Sequence, residues 1–197
     1  TGLDHTPVSA AESRVFGEQL GPGRASRAMA IVHVAIYDAI NSITHRDRGF
    51  SGIPDVPASA SMDAAIAQAA HDALIALFPS QRARCDQLLA EDLAAIPDGL
   101  DKEMGLETGR RAAQAILARS AVDGSQHRDP LVNVEYRTSR KPGFWRQDPI
   151  SMIPVALGAY WGKVRPLVIP DATLYRVPPP PPMTSAEYTR AYDEVKR

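Results

Sequence analysis

The chain has 197 residues, with 22 Lys and Arg against 23 Asp and Glu, a formal net charge of −1, 17 prolines and one cysteine. Charge this balanced gives no electrostatic footprint for nucleic acid or an anionic membrane surface, and no apolar run approaches the ~20 residues of a membrane span. The lone Cys85 excludes an internal disulfide and a cysteine-built metal cage. The polar opening Thr1-Gly2-Leu3-Asp4 does not read as a signal peptide, which leaves a cytoplasmic and an exported, processed protein equally open.

In chain order, residues 10–20 carry a short helical pattern, with Ser9 as N-cap and Glu12 at capping-box spacing. Residues 26–43, SRAMAIVHVAIYDAINSI, form the longest apolar stretch without a breaker, entered through Gly21-Pro22-Gly23 and followed by the polar run from His45 to Gly49. At about 100° per residue, Ala28, Met29, Val32, Ile36, Ala39, Ile40 and Ile43 share one wedge, and Ala30, Ile31, Val34 and Ala35 cover much of the rest. A helix apolar nearly all round belongs inside a bundle, and this one is expected to be the element about which the others pack. Its polar groups form a narrow strip of His33, Tyr37 and Asn41 at i, i+4, i+8, with Asp38 and Ser42 beside it. Such a strip is either a site inside the bundle or a set of buried side chains hydrogen-bonded for structural reasons.

After a Gly- and Pro-punctuated loop over 45–57, a second helix is expected over 59–78, with Met62, Ala65, Ile66, Ala69, Ala73, Ala76 and Leu77 at helical spacing and Pro79 as its stop. Neighbouring helix positions point ~100° apart, so His71 and Asp72 are not expected to serve one reacting group. Ser80 caps a third predicted helix through residue 96, with Cys85, Leu88, Leu89, Leu93 and Ile96 inward. A packed thiol is the reading for Cys85. Asp98 or Asp101 opens a fourth helix to about 121, with Leu106, Gly109, Ala113, Ile116 and Leu117 inward and Arg110, Arg111 and Arg119 in water. Short proline-marked turns between helices make an all-α bundle of four to five helices over 1–124.

The pattern then changes. Residues 125–184 hold eleven of the prolines, half of the aromatics and no sustained periodicity. Apolar and aromatic content distinguishes this from a disordered tail, and an extended strap is expected. Its Pro178 to Pro182 run suits polyproline II. Over 185–197 a last helix begins, capped by Ser185, with Tyr188, Tyr192 and Val195 on one face. It is expected to continue beyond the chain.

Four stretches, RAMAIVHVAIYDAIN (27–41), AAHDALIALFPSQ (69–81), PGFWRQDP (142–149) and GAYWGKVRPLVI (158–169) leading to PPPPPMTSAEYTRAYDEVK (178–196), resemble the N-terminal half of bacterial vanadium-dependent haloperoxidase-related proteins of the type 2 phosphatidic acid phosphatase superfamily. The resemblance implies an all-helical protein of two bundles, the second holding vanadate and oxidising halide with peroxide. Phosphatase relatives use the same pocket on phosphate esters, because vanadate and phosphate share shape and charge. The family's catalytic patterns are K-x6-R-P, P-S-G-H and S-R-x5-H-x3-D. Lys163-Val164-Arg165-Pro166 has the wrong spacing and, in an extended strap, would point both cations one way. Lys141 and Arg146 also fail, and P-S-G-H is absent. Ser26-Arg27 with His33 matches the start of the third pattern, but Tyr37 stands where the aspartate belongs and Asp38 is one place late. On one helix Arg27 and His33 diverge by ~120°.

No catalytic, cofactor-binding or metal residue is therefore assigned to this chain. Its expected role is the non-catalytic supporting half of such an enzyme, with vanadate or phosphate on a C-terminal catalytic half of the same or a separate chain, and with self-association into a homo-oligomer. Trp145 and Trp161 are either interface anchors or pins that hold the strap to its own bundle. Two alternatives are an acid phosphatase of the same architecture and a non-enzymatic helical interaction module that presents the five prolines to a proline-reading partner.

Overall fold

A computed structural model describes residues 18–196. The fold is all-α. Its first helix, α1 (Pro22–Thr44), starts earlier than the expected residue 26. Pro22 stands in the first turn, where its missing N–H would be unpaired anyway, and Gly21 precedes it at φ 87°. His45 closes the helix in left-handed geometry, its N–H donating to the Asn41 carbonyl at 2.8 Å.

Helix α2 (Met62–Leu77) begins where Ser61 Oγ accepts the Ala64 N–H at 3.3 Å, later than the expected 59. A 3-10 turn, Pro79–Gln81, leads into α3 (Arg82–Ala94), which ends before the expected 96. Ser80 is not the cap of α3. It lies inside the turn, and its hydroxyl and N–H donate to Glu18 Oε2 and Oε1 at 2.6 and 3.0 Å. Glu18 and Gln19 form a turn rather than the end of the helix expected over 10–20, whose earlier part lies outside the described residues. Helix α4 (Leu100–Ala121) matches its expected span.

The centre of the bundle is α2, not α1: α2 packs on α1, α3 and α4. Side-chain size explains this. Ala64, Ala65, Ala69 and Ala73 are fully buried, and α4 turns Gly105 and Gly109 directly onto the α2 backbone. Backbones this close admit no larger residue, so the longest apolar stretch is not the one that ends up surrounded. Along α1, Ala28, Ile31, Ala35 and Ala39 are fully buried, but Met29 and Tyr37 are 38% and 41% exposed. His33 is exposed and Ile36 and Ile40 are only half-buried. Met29, His33, Ile36, Tyr37 and Ile40 lie on one face, so the expected all-round burial is replaced by one open apolar face. On α2, Met62 and Ala76 are likewise exposed, while Gln68 is buried. Nothing in α3 is buried: Cys85, Leu89, Leu93 and Ile96 are half-buried and Leu88 is exposed, against the inward placement expected of them.

Residue contacts divide the chain into Thr1–Ser125 and Gln126–Arg197. The second unit contains the irregular strap and a final helix, α5 (Ala186–Lys196). Among the described residues it has no strand, only two isolated bridges. The strap folds on itself: Val132 N–H donates to the Pro154 carbonyl and Ala156 N–H to that of Pro130, each at 2.9 Å. The Ser185 hydroxyl accepts the Tyr188 N–H at 3.1 Å and caps α5 as expected. Tyr188, Tyr192 and Val195, one face of α5, are 38%, 58% and 89% exposed. Among the described residues no helix is long and apolar enough to cross a membrane.

Candidate functional site

The polar strip of α1 is a loop anchor. Asp38, fully buried, accepts the Phe50 N–H on Oδ1 at 2.6 Å and the Ser51 N–H on Oδ2 at 2.9 Å. Asn41 grips the backbone of Asp47 from both sides, its Oδ1 accepting the N–H at 2.7 Å and its Nδ2 donating to the carbonyl. Ser42 Oγ donates to the Pro54 carbonyl at 2.6 Å, and Tyr37 Oη donates to that of Arg48 at 3.2 Å. Four helix positions, Tyr37, Asp38, Asn41 and Ser42, thus satisfy a loop that has no ladder of its own. His33, on the same strip by sequence, takes no part and is exposed. Asp38→Ala will leave two half-buried N–H groups unpaired and lower stability by about 1–3 kcal/mol. Urea unfolding measures the loss, and faster amide exchange at Phe50 and Ser51 locates it.

The second cluster joins α1 to the end of α4. Arg27 Nε donates to Asp123 Oδ2 at 2.7 Å and Nη2 to the Ser120 carbonyl at 2.8 Å. The Arg27 and Asp123 side chains are 10% and 5% exposed. Asp123 Oδ1 accepts the Ser125 N–H at 2.8 Å, and Arg24 Nη1 donates to the Ser125 carbonyl at 2.6 Å. Burial alone would raise the Asp123 pKa, but hydrogen bonds from Ser125 and Arg27, with the guanidinium charge, hold it below the usual aspartate value. Arg27 is therefore committed to Asp123 and does not converge with His33.

The third cluster joins α2 to α3. His71 Nδ1 lies 2.8 Å from Asp72 Oδ1, and Nε2 lies 2.8 Å from Asp86 Oδ1 on α3. The side chains of neighbouring positions curl together despite the angle between their Cβ bonds. Gln68 Nε2 donates to the same Asp72 Oδ1 at 2.8 Å and fixes it. An imidazole oriented by a carboxylate is the raw material of acid–base chemistry, but here its second nitrogen faces another carboxylate. Asp86 escaped sequence reading because it lies on another helix, beyond the Pro79 break. Among the described residues no group of three His, Cys, Asp or Glu side chains is placed to hold a metal ion.

Other candidates are engaged singly. Burial, and next the charge of Asp86, push the Cys85 thiol up, against nucleophilic use. Lys163 ends a 3-10 turn, Trp161–Lys163, instead of lying in extended backbone, and its ammonium sits 5.1 Å from the Tyr160 ring centroid. Lys141, Arg146 and Arg165 are exposed. Neither Arg27, bound to Asp123, nor Lys163, over the Tyr160 ring, is arranged as part of an oxyanion grip. Trp145 packs edge-on against Tyr136 at 5.5 Å, and Trp161 against His127 at 6.3 Å. Both tryptophans thus make ring contacts within the strap, with Trp145 still 46% exposed. No family model, curated protein or solved structure matches the chain.

Proposed function

We propose that this chain is the non-catalytic supporting half of a vanadium-dependent haloperoxidase-like enzyme, in which a separate helical bundle binds vanadate and oxidises halide with peroxide. The observation that carries the reading is the open face of α1. A 23-residue helix this apolar leaves Met29 and Tyr37 about two-fifths exposed and Ile36 and Ile40 half-covered among the described residues. Contiguous exposed apolar surface marks an interaction site. The exposed Tyr188, Tyr192 and Val195 of α5 fit the same role. The resemblance of four stretches to the N-terminal halves of such enzymes supplies the class. The companion bundle supplies the basic oxyanion pocket, and phosphate ester hydrolysis is the corresponding activity if that pocket takes phosphate.

Purified chain given vanadate, peroxide and bromide, or a phosphate ester, will show no turnover above background. Sedimentation will show self-association, which Tyr37→Glu weakens about tenfold by placing a charge on the α1 face. Turnover by the purified chain, or a monomer with one sharp unfolding transition, overturns the reading. The reading frame past Arg197 is a further test, with P-S-G-H and a true S-R-x5-H-x3-D expected. A second reading, a non-enzymatic interaction module, is favoured by the exposure of Pro178, Pro179 and Pro180. It prevails if neither pattern follows.

A further inference from the structure

Helix α3 is held to the bundle in an unusual way. None of its residues is buried, and it packs on α2 and the Pro79–Gln81 turn. An open groove of about 370 Å³ runs between α2 and α3, lined on one side by Asp63, Ile66 and Ala67 and on the other by Glu91 and Asp92 with Ile96 beyond the helix end. Polar ties hold what apolar packing does not. At the entry, Ser80 donates to Glu18. Midway, Asp86 meets His71 at 2.8 Å. At the exit, Lys102 Nζ donates to the Leu93 and Ile96 carbonyls at 2.8 and 3.0 Å and to Asp98 Oδ1 at 2.8 Å.

We propose that α3 is a flap that opens as one unit while α1, α2 and α4 stay folded, and that the His71–Asp86 contact is its clasp. Segments with few buried apolar contacts open at lower free energy than the core. The α2–α4 seam, by contrast, is closed by fully buried Ala64, Ala65, Ala69, Ala112, Ala113 and Ile116. Opening uncovers Ile66 and Ala67 and releases His71 Nε2. Asp72 and Gln68 remain behind on α2, so the freed imidazole keeps its carboxylate partner on Nδ1 and turns a free nitrogen to solvent. The closed flap masks that dyad. The inference stands on the bundle alone, independent of any companion body.

Native-state hydrogen exchange on the whole chain tests it, with diethylpyrocarbonate modification of His71 as a second readout. Amides of residues 82–94 are expected to exchange well ahead of those of 105–116. Asp86→Asn removes the charged partner at a half-exposed position (its side chain is 53% exposed), so exchange over 82–94 and His71 modification will both rise about fivefold. Exchange over 105–116 will change less than twofold. Lys102→Met, which frees the far end, will speed the same segment. The proposal is overturned if α3 and α4 exchange together in the wild type. It is equally overturned if Asp86→Asn accelerates both helices alike, or leaves α3 exchange and His71 modification unchanged.

Discussion

Arg27→Met will lower the unfolding free energy by about 3 kcal/mol, because it leaves the Asp123 carboxylate buried without its counter-charge. The side chains are 10% and 5% exposed, so water cannot replace the lost partner. The Ser120 carbonyl loses its donor in the same step. Removing both charges should cost less than removing one: Arg27→Met with Asp123→Leu will recover part of the loss, since a buried ion pair replaced by apolar side chains of similar volume is often near neutral. Urea unfolding followed by circular dichroism, at neutral pH, measures all three variants. A loss below about 1 kcal/mol for Arg27→Met would place the pair among ordinary surface contacts.

The same pair sets an acid limit. Despite burial, which acts to raise it, the Asp123 pKa in the folded chain lies below the ordinary aspartate value, because Ser125 and Arg27 hydrogen-bond to the carboxylate. A carboxyl depressed in this way adds stability above its unfolded pKa of ~3.9, and the contribution disappears as the pH falls through the lower folded value. The stability difference between the wild type and Asp123→Asn will therefore be full at neutral pH and shrink in acid below about pH 4. A difference that does not change over that range would mean the carboxylate has no special place in the fold.

Gly109→Ala will destabilise the chain by about 2 kcal/mol, although alanine is the better helix former. Propensity favours the change by about 1 kcal/mol. A Cβ at this position would meet Ala65 O at 2.5 Å, Gln68 Cβ at 2.8 Å and Ala69 N at 2.9 Å. Two of the three are backbone atoms of α2, which cannot swing aside as a side chain would, so overpacking of about 1–3 kcal/mol and the strain on the seam outweigh the gain. Gly109→Leu will prevent α2 and α4 from docking at all. Gly162→Ala is the matched control, with nothing within 4 Å of its added Cβ. It will stay within about 0.5 kcal/mol of wild type.

Local features of the fold were legible without any coordinates. The fourth helix could be read from Asp98-Gly99 to Ala121 because a break, a first turn rich in acids and a helical period coincide there. Pro79 and Ser185 acted as a stop and a cap through chemistry confined to a few neighbouring residues. The loss of periodicity after Gly124 marked the strap for the same reason. Ser80 misled because a cap-type residue within a 3-10 turn looks identical, in sequence, to one at a helix start.

The amino-acid order by itself settled that this is an all-α chain followed by a proline-rich strap, since helix period, breakers and caps act over one or two turns. Which helix stands at the centre was decided by tertiary packing. The length of its unbroken apolar stretch pointed to α1, but closeness of backbones ranks helices, and the glycines of α4 against the alanines of α2 gave the centre to α2. Tertiary structure also chose the partners of the polar groups. Arg27 finds Asp123 across 96 positions and His71 finds Asp86 across 15. No local pattern encodes such meetings, because a charge is satisfied by whatever the folded chain carries into reach.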